Sequence, residues 1–110
     1  MSPKKSQTPE WQWEQALIDA YYDYRCRQVL EPLYEKFQRW KAGELDHSDM
    51  DQAIHEVHKQ NQQIYSLFGE KRTFLVEIIQ LDRQWFEAWV ADNPPPPGVT
   101  TAPPSIALEP

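Results

Sequence analysis

The chain has a single cysteine, three glycines and a deficit of basic residues, with 11 Lys and Arg against 17 Asp and Glu among 110 residues. With only Cys26, no intrachain disulfide can form, and a lone thiol suits a reducing compartment. Gly43, Gly69 and Gly98 are too few for an all-β fold, which needs a turn signal about every 8 to 12 residues. None of them sits in a Gly-rich loop of the kind that cradles phosphates. The net charge of −6 opposes a phosphate backbone, so nucleic acid is not an expected partner. The one basic arm, Ser2-Pro3-Lys4-Lys5, reads as a solubilising terminus. Also missing are an apolar run near the roughly 20 residues of a membrane span and a charged-then-apolar leader. The expectation is a cytoplasmic protein with no membrane partner.

Proline is scarce in the body of the chain and crowded at its end. Pro94, Pro95, Pro96, Pro97, Pro103, Pro104 and Pro110 all follow Asn93, whereas only Pro32, Gly43 and Gly69 interrupt residues 10–93. This distribution predicts a mobile arm over residues 1–8, one helical domain over 9–93 and a disordered proline-rich tail over 94–110. Thr8-Pro9-Glu10 reads as a helix start, with Thr8 as cap and Pro9 in the first turn. A long first helix then runs to Ala42-Gly43. Asp46 caps a second helix, with Leu45 and Met50 placed as a hydrophobic staple. That helix ends at Phe68 before Gly69, and a third runs from Glu70 to about Asp92, where Asn93 and four prolines stop it.

Apolar phases along these helices suggest how they pack. In the second helix Met50, Ile54, Val57, Asn61, Ile64 and Phe68 alternate steps of four and three, which places Asn61 inside a coiled-coil-like seam. The third helix has an apolar arc over about half its circumference that includes Trp85, Phe86 and Trp89, with Asp82 among them. A bare charge there is too costly to leave unpaired, so Asp82 is expected to hold a buried polar contact to Asn61, His58, Arg25 or a tyrosine hydroxyl.

The first helix changes face along its length. Trp13, Leu17, Tyr21 and Tyr24 make one stripe, and Cys26, Leu30, Leu33, Tyr34, Phe37 and Trp40 make another on a rotated face. Pro32 lies where a bend would realign the two, since proline removes the bond to the carbonyl of Gln28. The predicted fold is therefore all-α: a helical hairpin plus a long N-terminal helix kinked near Pro32, a three-helix bundle completed by dimerisation. The segment from Trp11 to Arg25 is expected to leave its own core and pack on a second copy. Trp11, Trp13, Leu17, Tyr21, Tyr24, Trp85 and Trp89 are the expected interface, and Asn61 and Asp82 the expected buried polar pair.

The functional expectation is a non-enzymatic interaction or assembly module, a homodimer with a further unidentified protein partner and no cofactor, that uses aromatic helix faces. The competing class is a metal- or small-ligand-binding bundle. Its donors would be His55 and His58 with Asp51, since histidines one turn apart on a helix can share a metal with a carboxylate. No Ser-His-Asp or Cys-His context activates Cys26, which reads as a small core residue.

Overall fold

The computed structural model describes residues 8–101 and is all-helical in class, with no strand among them. It has four helices, α1 (Pro9–Lys41), α2 (His47–Phe68), α3 (Arg72–Leu81) and α4 (Arg83–Asp92). Residues 1–7 of the N-terminal arm and 102–110 of the proline-rich tail lie outside the described residues. No described helix is long and apolar enough to cross a membrane.

The helix ends follow from local chemistry. Thr8 Oγ1 accepts the N–H of Trp11 at 3.1 Å, satisfying one of the orphan donors of the first turn. At the other end of α1 the Gly43 N–H reaches the Trp40 carbonyl at 3.0 Å and the Glu44 N–H the Arg39 carbonyl at 2.8 Å. This double closure needs a left-handed residue, and Gly43 has φ +82°, which costs glycine nothing. Asp46 then caps α2 by accepting the Asp49 N–H at 2.7 Å. Gly69 ends α2 differently, at φ −86°, a conformation open to any residue.

The expected third helix is two helices. At Asp82 the backbone leaves the helical region, with φ −80° and ψ +71°. Its N–H turns back to the Ile79 carbonyl at 3.1 Å, and its own carbonyl opens α4 by accepting the Phe86 N–H at 2.8 Å. No glycine or proline marks the break. Aspartate is a poor interior helix residue because its side chain competes for hydrogen bonds, and here that side chain is engaged elsewhere. The break also divides the apolar arc: α3 buries Leu75, Val76, Ile79 and Gln80, and α4 buries Phe86, while Phe74 and Leu81 are left exposed.

The described residues form two compact units. The first comprises residues 8–21 and 71–101, so it takes the start of α1 together with α3 and α4. Leu17, Ile79 and Phe86 are fully buried in it, each burial stabilising by about 1.5 to 3 kcal/mol. The second unit is Tyr22–Glu70, an α-helical hairpin made of the rest of α1 and all of α2. Its buried residues are Met50, Ala53 and Ile64, all from α2. None of the residues buried in α1 lies beyond Tyr21.

Candidate interaction surface

The first unit is closed by aromatic packing and by two arginines. Trp13 lies against Trp89, with ring centroids 5.5 Å apart, and edge-on to Phe86 at 6.4 Å. Its indole N–H donates to the Asn93 carbonyl at 2.9 Å. Tyr21 packs edge-on against Trp85 at 4.9 Å, and Trp85 and Trp89 are stacked with 12° between their planes. These contacts use the apolar bodies of the rings and give the buried indole and phenol a polar partner each.

Arg72 ties α3 to the start of α1. Its guanidinium lies 4.1 Å above the Trp11 ring and donates to the Trp11 carbonyl at 2.8 Å and to Gln15 Oε1 at 2.7 Å. Arg72 Nε is 3.7 Å from Glu14. Burial pushes the Glu14 carboxyl above its ordinary value, with Arg72 opposing the shift. Arg83 ties the chain beyond α4 to the same unit. It donates to the Thr101 carbonyl at 3.0 Å and to Glu87 at 3.1 Å, so the described proline-rich residues are held against the helix that precedes them.

Trp13, Leu17 and Tyr21 are buried in the first unit of the single chain. Trp11, Tyr24, Trp85 and Trp89 are half-buried. Of the two expected buried polar residues, Asp82 is half-buried and accepts the Tyr21 hydroxyl at 3.0 Å. Asn61 is exposed. The buried stripe of α2 is centred between Met50 and Ala53, about 50° around the helix from Asn61 at about 100° per residue, so the seam turns away from it.

His55, His58 and Asp51 are all exposed on α2. Among the described residues no three His, Cys, Asp or Glu side chains are grouped closely enough to hold a metal. The third histidine, His47, has a structural partner: its Nδ1 accepts the Trp40 indole N–H at 2.9 Å.

The second unit leaves an apolar face uncovered. One side of the hairpin holds a cavity of about 180 Å³, lined by Val29, Pro32 and Leu33 of α1 with Ala53, Val57 and Gln60 of α2 among others. Along the contact line Tyr22 meets Phe68 edge-on, with ring centroids 5.0 Å apart. The other side carries a shallow groove along α1, lined by Cys26, Leu30 and Tyr34 with Asp23, Arg27 and Glu31 at its edge. Leu30 is 46% exposed, Tyr34 64% and Phe37 40%, and on α2 Ile54 and Tyr65 are 44% and 81% exposed. By helical phase Ile54 and Tyr65 share this side of the hairpin with the groove. The Tyr22 hydroxyl at its end is raised above its ordinary range by its hydrogen bond with Cys26 and by the nearby Cys26 charge, with smaller contributions from burial and Tyr65. The periodicity of α1 marks Cys26, Leu30 and Tyr34 as one stripe without distinguishing a face turned to the chain's own core from one left open.

Comparison with family models, with curated proteins and with solved structures finds no match for this chain.

Proposed function

We propose that this chain is a non-enzymatic assembly module that forms a homodimer through the open face of its second unit. The observation that carries this reading is the absence of any buried residue in α1 beyond Tyr21, although that stretch contains Tyr22, Leu30, Tyr34, Phe37 and Trp40, all exposed. Leu30, Tyr34 and Phe37 share one strip of α1, and with Ile54 and Tyr65 of α2 on the same side they exceed the scattered exposure that needs no explanation. A two-helix hairpin buries too little to be stable alone, and a second hairpin laid on it makes a four-helix bundle.

In this reading the dimer completes the second unit, while the first unit is closed by its own aromatic packing. A bend at Pro32 belongs to the same reading. Proline lacks the N–H that would bond the Gln28 carbonyl, and a bend there would fit α1 to a curved partner surface. A cytoplasmic setting accords with the lone thiol and the acidic surface.

The test is sedimentation equilibrium on the full chain over a range of concentrations, alongside Leu30→Glu/Tyr34→Glu. The wild type is expected to reach the mass of a dimer and the variant to stay a monomer with unchanged helix content. A wild type that is monomeric at every concentration contradicts the reading.

A further inference from the structure

Resting on that reading, we propose that the partner on the open face is a second copy of this chain set antiparallel, in a register that faces Asp23 with the partner's Lys41 and Leu30 with the partner's Tyr34. At about 100° per residue, Asp23, Leu30, Tyr34, Phe37 and Lys41 fall in one strip of α1 about 60° wide. The strip has an acid at one end, a base at the other and apolar residues between. Laid antiparallel on itself about a twofold axis level with Pro32, it brings opposite charges together at both ends and apolar residues together in the middle. Laid parallel, it sets Asp23 against Asp23 and Lys41 against Lys41, which repel. Arg27, on the border of the strip, then reaches the face of the partner's Phe37, an arginine–aromatic contact.

The neighbouring helix obeys the same axis. The Tyr22–Phe68 contact gives the stagger of α1 and α2, and Leu33 and Val57 line one cavity between them, so the axis passes α2 near His58. Around that point Tyr65 pairs with Asp51 of the partner subunit, a phenol opposite a carboxylate. Both are exposed in the single chain. Area supports a stable contact as well. A face two helices wide and about 30 Å long offers about 600 Å² per copy, about 1,200 Å² in all, which is the lower bound of specific interfaces.

Charge exchange tests the register. Asp23→Lys and Lys41→Asp are each expected to weaken the dimer about three- to tenfold in sedimentation equilibrium at low salt. Asp23→Lys/Lys41→Asp is expected to return it to within about twofold of wild type, with circular dichroism confirming unchanged helix content in all three. If the wild type is a dimer that Leu30→Glu/Tyr34→Glu dissociates, yet the single charge variants leave it intact or the double variant fails to restore it, this register is wrong and the assembly reading stands. If the wild type never dimerises, the face belongs to a different protein and both are overturned.

Discussion

The Tyr21 hydroxyl donates to Asp82 Oδ2 at 3.0 Å, joining the last buried residue of α1 to the point where α3 gives way to α4. Tyr21 is 4% exposed, so its hydroxyl has little access to water, and Asp82 is the acceptor that makes its burial tolerable. The same aspartate supplies the carbonyl that opens α4. One residue thus lies at the break between two helices through its backbone and ties that break to α1 through its side chain.

Removing Asp82 takes away the carboxylate to which the buried Tyr21 hydroxyl donates. Asp82→Ala is expected to lower the unfolding free energy by about 1 to 3 kcal/mol, and Asp82→Asn by less because it retains an acceptor. Tyr21→Phe/Asp82→Ala should cost less than the sum of the two single changes in urea denaturation. Additive losses would show that the two groups do not act as a pair.

The break at Asp82 also marks where the sequence stops being legible. The all-helical class, the cap at Asp46 and the terminator at Gly43 could each be read from local residue chemistry, because Asp, Gly and Pro act within a turn of themselves. The division of the expected third helix could not, since Asp82 is displaced from helical geometry in company with a tyrosine 61 residues away. The stripe of Trp13, Leu17 and Tyr21 was equally visible by periodicity, but periodicity states only that a face is buried and not against what. Asn61 shows the narrowness of that signal, for a phase difference of about 50° moved it from seam to surface.

Gly43 closes α1 in a left-handed conformation, and a Cβ there meets nothing within 4 Å. The cost of Gly43→Ala is therefore backbone strain alone, about 1 kcal/mol. Gly69→Ala, at a negative φ with ordinary contacts of 3.5 Å, is expected to be neutral or slightly stabilising. Thermal melts of the two variants distinguish them, and equal losses would contradict this account of the turns.

Glu14 gives the first unit a pH dependence of defined sign. Its folded pKa is raised above 4.5, chiefly by burial, so the folded state holds this proton more tightly than the unfolded chain does. The resulting stabilisation is present in full below pH 4.5 and is lost as pH rises through the folded value. Glu14→Gln should remove this component, so wild-type stability relative to the variant is expected to fall across that window. A relative stability that rises with pH instead would contradict the assignment.

Pro32 lies inside α1 and is exposed, so its cost is the missing hydrogen bond and the crowding of the preceding turn. Pro32→Ala is expected to raise the stability of the second unit by up to about 3 kcal/mol. The same change should weaken self-association if the bend shapes the dimer face. Chemical denaturation followed by circular dichroism at fixed concentration reads the first effect, and a loss of stability would contradict it.

Amide hydrogen exchange across a dilution series tests the central claim most directly, because it reads the two units separately in one sample. Protection over residues 26–37 of α1 should fall as the full chain is diluted, while protection around Leu17, Ile79 and Phe86 stays constant. Protection over 26–37 that is independent of concentration, or a dilution effect confined to the first unit, would contradict assembly through the open face of the hairpin.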